Sequence, residues 1–450
     1  MEVCPFRGIR YNAGIVGDLA RVICPPYDVI TSEQQKFYYE RSDYNAIRLE
    51  CALEQAGDTT TDDRYSRAAI AFQQWLKEGI LRIDDSPAFY VHDHYFTYLG
   101  ERRRRRGLIA RVKLEPWGDG IYPHEETFSK AKRDRLQLMR SCQANFSPLF
   151  ALYQDSEQKI ALILHEASQD KPIMSLRVKR SNLPDSDDKH IIWAITDSRF
   201  QQQIKRSLSG QPLYIADGHH RYETALAYQQ ERAQVIASRS PERSEGTAKQ
   251  SLTGKEAFNY VMMTLVDFSD PGLVILPVHR LVRGIAYSTL AGLENHLEDF
   301  FILESVPLTE GLFSSLELEM AGEVVLGILG LKPGFLVVLR QRQGISLEGV
   351  MPEKRSGVHR RLAVSLLNYI ILDKMLELVQ DSEDMAYTVD TTDAYQQIRE
   401  GKYQLAFLVT SPSLTVLKTV VDAKDRMPRK STYFYPKLPA GLIINSLSQL

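Results

Sequence analysis

The sequence predicts a mixed α/β or α+β protein, on three observations. Short apolar runs of strand length, such as "FNYVMMTLVDF" and "LAFLVT", alternate with stretches whose apolar residues recur at helical spacing. Hydrophobic residues make up 44% of the chain and charged residues 25%, with a mean hydropathy of -0.27, ordinary values for a globular protein. At 450 residues the chain is too long for one small core, so two or three domains are expected.

The elements follow in order. "VICPPYDVIT" reads as extended, because each proline restricts the residue before it. A helix is expected across Asp62–Gly79, its acidic start favoured by the helix dipole. Arg102–Arg106 precede an apolar strand and read as a solvated hairpin tip. Glu125–Cys142 lacks Gly and Pro and places Leu136, Met139 and Arg140 on one helical face. "ALILH" and "HIIWAIT" read as strands, and Asp197–Leu208 as a polar helix closed by Ser209-Gly210. "PLYIAD" is the next strand and His220–Ala237 the next helix. The Ser/Glu/Arg-rich stretch at about 238–254 reads as a surface loop. "FNYVMMTLVDF" and "LVILPVHRLV" follow as strands. Helices are expected at Tyr287–Phe301, Arg360–Leu378 and Ala394–Glu400, and "LAFLVT" is a late strand. The expected domains are 1–106, 107–270 and 271–450.

A net charge of -2 offers no electrostatic case for binding DNA. Cys4, Cys24, Cys51 and Cys142 form no C-x-x-C pair, which fits a reducing compartment better than a disulfide framework or a zinc site. No apolar secretory segment follows the start, and no run reaches the roughly 18 apolar residues of a membrane helix. A soluble, cytoplasmic protein is expected.

The densest chemistry lies in "LYIADGHHRYETALAY". Its apolar strand ends at Asp217-Gly218, and helical spacing resumes at Tyr222, Ala225 and Leu226. Gly218 therefore sits at the strand-to-helix turn, where a positive φ or close approach of a ligand calls for glycine. The amides of the first helical turn and the positive end of the dipole suit an anion. His219, His220 and Arg221 add donors, and Arg221 can grip a phosphate in bidentate fashion. Adjacent histidines point apart, which weakens a metal reading, and no nucleophile lies nearby in sequence. The bland alternative is a helix cap by Asp217, with the other side chains satisfying carbonyls.

"HEETFSKAKRDR" is the second candidate. Acids first and bases later complement a helix dipole and allow pairs such as Glu126–Lys130. His124, Glu125 and Glu126 could equally supply a general base or a Mg²⁺ ligand. Lys430, Ser431 and Thr432 are phosphate-contacting residue types, but no Walker A glycines precede them. His279 of "PVHR" reads as a satisfied core residue.

Four segments together, "PPYDVI", "HEETFSKAKRDRLQLMRSCQANFSPLFALY", "YIADGHHRYETALAY" and "MPRKSTYFYPKLPAGL", resemble the bacterial and archaeal domain-of-unknown-function family ten-fifteen. The resemblance spans nearly the whole chain, helped by "DPGLVILPVHRLV". It departs at the 238–254 stretch and at "RRLAVSLLNYII", where relatives often read Leu-Asp-Val with a downstream His. Locally, "YIADGHHRYETA" resembles the phosphate-binding box of the ParB/sulfiredoxin-like fold, whose members include CTPases, sulfiredoxins and free-serine kinases. That second resemblance implies a ParB/sulfiredoxin-like nucleotide-binding core across 107–270, flanked by mixed α/β regions. It implies that Asp217, Gly218, His219, His220 and Arg221 hold nucleotide phosphates.

The expected function is a nucleotide-dependent kinase acting on a small hydroxyl-bearing metabolite, with free L-serine as the leading acceptor. ATP or ADP (CTP as the alternative) and Mg²⁺ are the expected cofactors. Glu125, Glu126 or Asp28 would take the acceptor's proton. The competing reading is a ParB-like regulatory protein that binds nucleotide without transfer to a small molecule. The net charge and the lack of a basic helix-turn-helix speak against DNA as a partner. A homo-oligomer is left open.

Overall fold

The computed structural model describes residues 1–127, 129–179, 187–239, 254–309, 325–347, 349–352, 355–378 and 382–448. Nearly all of the expected surface loop at 238–254 lies outside the described residues. The chain forms two compact units. One comprises Met1–Pro123, Thr127–Leu273 and Pro436–Leu450, the other His124–Glu126 and Val274–Tyr435. The strand Glu101–Lys113 runs through position 106, and the first unit's long middle segment ends at Leu273.

The first unit is built on a nine-stranded mixed sheet. Its order is Ile121–Pro123, Leu213–Asp217, Leu149–Tyr153, Tyr260–Asp267, Glu101–Lys113, Phe89–Tyr98, Asp187–Ile195 and Met174–Lys179, with Val3–Cys4 added beside Glu101–Lys113. Leu213–Asp217 runs parallel to Ile121–Pro123 and antiparallel to Leu149–Tyr153. Having neighbours on both sides, with Leu213 through Ala216 buried, it reads as a continuous apolar run rather than an alternating one. Helices Ser129–Cys142 and His219–Arg239 pack on each other, and Arg64–Lys77 packs on the first of them. Asp63 caps Arg64–Lys77 by accepting the amides of Tyr65 and Ser66, which satisfies donors that have no partner within the helix.

Two expectations are corrected here. "ALILH" belongs to the helix Lys159–Ala167 and not to a strand. Ile160, Ile163 and Leu164 are buried while Leu162 is exposed, a helical spacing hidden inside a short apolar run. The Asp155 carboxylate starts this helix by accepting the amides of Lys159, Ile160 and Ala161 at 2.8–3.1 Å. The arginine run is likewise no mere solvated tip. The turn is Leu99-Gly100, both at positive φ, and the arginines continue into the strand, where Arg105 turns inward and is 2% exposed.

The second unit carries a six-stranded antiparallel sheet ordered Phe301–Pro307, Phe335–Gln341, Val325–Leu329, Leu405–Val409, His279–Val282 and Met385–Thr388. Tyr287–Glu298 is helical, but Phe301 already begins a strand. The helix expected over Arg360–Leu378 is broken into Gly357–Arg360, Ala363–Leu366 and a π-helical stretch Leu367–Met375. Leu414–Asp422 adds a helix that the sequence reading passed over. Val274–Leu276 pairs antiparallel with Tyr433–Tyr435, so this unit's main segment starts and finishes on paired strands. The four cysteines are free thiols, and among the described residues no helix is long and apolar enough to cross a membrane.

Candidate functional site

Strand Leu213–Asp217 delivers the box to the start of helix His219–Arg239. Gly218 adopts φ +92°, and a Cβ there would stand 3.0 Å from the Arg221 guanidinium and 3.1 Å from Leu149. Glycine is required on both counts. The helix begins at once, with the Tyr222 amide donating to the Gly218 carbonyl at 3.0 Å.

Arg221 is buried, and its fork is turned onto the protein. It donates to the Ser147 hydroxyl, the Pro148 carbonyl and the Asp217 carboxylate, each at 2.9 Å. This differs from the expectation of a guanidinium held ready for phosphate: Arg221 locks the glycine turn against the loop before Leu149. The other Asp217 oxygen accepts from the Lys437 ammonium, so the carboxylate sits between two cations instead of acting simply as a helix cap. Burial opposes its ionisation, but Lys437 and Arg221 outweigh that and hold Asp217 down at about 2. Lys437 also lies 4.0 Å from Asp28, which places that predicted carboxylate beside the box. His219 is buried, His220 is half-buried, and the His220 carbonyl accepts the Thr224 hydroxyl at 2.8 Å.

Behind Arg221 the polar network continues inward. Ser147 donates to the buried Glu50 carboxylate at 2.9 Å, and Arg135 donates to the Glu50 carbonyl at 2.7 Å while lying 4.1 Å over the Tyr27 ring. Glu50, Arg135, Ser147 and Arg221 border a cavity of about 40 Å³, room for a water molecule rather than for a metabolite. Burial raises the Glu50 carboxyl above its usual range, with Arg135 and Arg221 pulling against it. Farther along the helix, Glu223 accepts from the Thr127 hydroxyl at 2.8 Å and from the Trp117 ring nitrogen at 3.3 Å.

Glu125 and Glu126 belong to the second unit, where each has partners of its own. Glu125 accepts from the Thr432 amide at 2.8 Å, the Thr432 hydroxyl at 2.7 Å and the Lys430 amide at 3.2 Å. Lys430 and Thr432, phosphate-like by type, thus engage a carboxylate. Glu126 pairs with Arg355, which also binds Asp425 at 3.0 Å; the Lys130 side chain, its expected partner, lies outside the described residues. His279 is 2% exposed and accepts the Val409 amide at 3.2 Å, and burial followed by the neighbouring Arg280 lowers it to about 4. Among the described residues no group of three or more His, Cys, Asp or Glu is arranged to hold a metal ion.

Sequence reasoning missed Lys437, Ser147 and Glu50 as members of this network. No local signal could find them, because Arg221 meets Ser147 across 74 positions and Asp217 meets Lys437 across 220.

No curated protein matches the chain. Among solved structures it is similar to a free serine kinase in complex with AMP, at 12% identity and a TM-score of 0.35, covering 72% of this chain and 86% of that one. A conserved hypothetical protein from Pyrococcus furiosus matches at 12% identity and a TM-score of 0.35, covering 74% and 93%. SbnI from Staphylococcus aureus, with a C-terminal truncation, matches at 9% identity and a TM-score of 0.32, covering 73% and 84%. At such scores the likeness says nothing of the reaction. The profile of one family, described as protein of unknown function (DUF1015), matches residues 3–365, and the chain belongs to that family.

Proposed function

We propose that this chain is a nucleotide-dependent phosphotransferase whose Asp217–Arg221 box holds the phosphates and whose acceptor is a hydroxyl on a small metabolite, free L-serine first among the candidates. The observation that carries the reading is the braced turn: Arg221 and Lys437 clamp Asp217, and so fix a left-handed glycine at the start of a 21-residue helix. A turn held that rigidly presents helix-end amides, His219 and His220 at a fixed spacing, as phosphate binding requires. In this reading Arg221 serves as the brace.

The transfer is the attack of the acceptor oxygen on the terminal phosphorus, with the bond to the nucleotide's bridging oxygen breaking and the hydroxyl proton passing to a carboxylate. Asp28, 4.0 Å from Lys437, is the proposed acceptor of that proton within the first unit. Glu125 and Glu126 remain proposed on their sequence pattern alone. Mg²⁺ would arrive on the nucleotide phosphates, since the described residues supply no metal cage of their own.

The test is incubation with Mg²⁺, serine and ATP, ADP or CTP, followed by mass spectrometry for phosphoserine. His220→Ala is expected to lower turnover about 100-fold, the loss typical of one preorganised donor. Nucleotide binding with no transfer to any amino-acid hydroxyl would replace this reading with that of a nucleotide-responsive regulator. Wild-type nucleotide affinity in His220→Ala would leave the box a structural turn.

A further inference from the structure

Three histidines lie buried side by side in the first unit's sheet, outside every motif discussed so far. His92 and His94 share one face of Phe89–Tyr98, and His190 faces His94 from Asp187–Ile195. The His92 Nε2 lies 3.0 Å from the His190 Nδ1, and the His94 and His190 ring centres are 4.1 Å apart. On the other side of His94 stands Arg105, its Nη2 lying 3.4 Å from the His94 Nδ1.

A guanidinium can only donate, so Nδ1 of His94 must be the accepting nitrogen. The ring proton then sits on Nε2, which faces the Asp188 carboxylate at 3.5 Å. The Arg105 contact thus fixes the His94 tautomer, and the proton so placed on Nε2 faces the Asp188 carboxylate, which favours the ring orientation beside Arg105. The same Arg105 Nη2 donates to the Pro436 carbonyl at 2.8 Å, while its guanidinium rests 4.9 Å over the Phe150 ring. Phe150 is the register partner of Asp217, and the residue after Pro436 is Lys437, the cation on Asp217. Asp270, Asp188 and Asp217 are the acidic groups whose fields reach Arg105. Pro436 and Lys437 lie beyond the stretch matched by the family profile.

We propose that Arg105, aimed by His94, is the positioning residue that presents Lys437 to the Asp217 turn. Its use in phosphate binding rests on the reading of the box given above, but the positioning itself does not. Lys437 lies between two anchored points, the strand pairing that ends at Tyr435 and the Ala440 backbone bonds to Cys24, and Arg105 holds the stretch between them. The Arg105 to Pro436 bond fixes the backbone one residue away, and the stacked ring of Phe150 fixes the guanidinium.

The test reads Lys437 directly and uses no nucleotide. Folded protein is treated with an amine-acylating reagent, and the rate at Lys437 is followed by mass spectrometry, with exposed Lys159 as the internal control. Arg105→Met is expected to raise the Lys437 rate about tenfold, as for loss of one hydrogen bond to a charged donor. Arg105→Lys, which can still reach one carbonyl, should stay closer to wild type. His94→Phe, which removes the aiming acceptor and leaves Arg105 in place, should give a smaller rise. It carries the test alone should Arg105→Met fail to fold. An unchanged Lys437 rate in a folded Arg105→Met, or in His94→Phe where that variant stands alone, overturns the proposal. Faster labelling together with no nucleotide binding in the wild type would retain this positioning role and remove the function proposed above.

Discussion

The Lys437 ammonium sits on one oxygen of the Asp217 carboxylate while Arg221, one helical turn away, holds the other, so a single largely buried acid joins two distant parts of the chain. Removing either cation leaves a carboxylate out of water with half its compensation. Lys437→Met should therefore cost about 3 kcal/mol, the range for breaking a buried pair from one side. Urea unfolding measures the loss. Adding Asp217→Asn to Lys437→Met should recover part of it, and strict additivity of the two changes would deny the coupling.

Gly218→Ala should lower stability by about 2 kcal/mol, because a Cβ meets both Arg221 and Leu149 and the backbone stands at φ +92°. On the function proposed above, the same variant should also weaken nucleotide binding when measured well below its melting temperature, since the turn also aims the amides. Equal nucleotide affinity in the two proteins would separate the turn from the ligand.

Asp155→Ala should cost about 1–2 kcal/mol, because its carboxylate caps three amides of the helix Lys159–Ala167. Hydrogen exchange at Ile160 and Ala161 should rise locally. No change there would mean that packing of Ile160, Ile163 and Leu164 alone holds the helix.

Stability should fall in mild acid. Burial, then the field of Arg105, lowers His92 to about 3, and burial with the neighbouring histidines lowers His190 well below its usual range. In the unfolded chain these side chains take protons near about 6.5, so below that pH the unfolded state binds more protons than the folded one. The stability contribution is complete above about 6.5 and declines as pH falls toward 3, with a slope approaching about 1.4 kcal/mol per pH unit for each histidine. His279 has the same sign, and Glu50, whose carboxyl is raised, has the opposite one. Urea titrations from pH 7 to pH 4 check this, and His92→Phe should flatten the curve. A flat wild-type curve would show that the imidazoles are not the groups excluded from protonation.

Much of this fold was readable from local pattern, and the failures share a cause. Leu213–Asp217, Tyr260–Asp267 and Leu405–Val409 show as apolar runs bounded by polar turns, and Arg64–Lys77 shows its acidic cap. "ALILH" fails because four apolar residues and a histidine contain too little period to separate helix from strand, and the deciding cap, Asp155, lies outside the run. At the box, the glycine turn was readable because φ constrains the residue type at that position. The brace was not, because Ser147, Glu50 and Lys437 are brought in by tertiary folding from two loops and a helix end and carry no spacing a window could detect. Arg105 was hidden differently: five consecutive arginines read as solvent until strand alternation buries one of them.

The paired strands Val274–Leu276 and Tyr433–Tyr435 have a consequence for assembly. Val274 lies opposite Tyr435, so the long excursion between them starts and finishes at neighbouring positions. Once that pair has formed, the entropy of closing the chain between Leu273 and Pro436 is that of a tight link rather than of a long loop. Lys437 then follows Leu273 across a tight link, and insertions between the two strands should leave the effective concentration of its ammonium at the box almost unchanged.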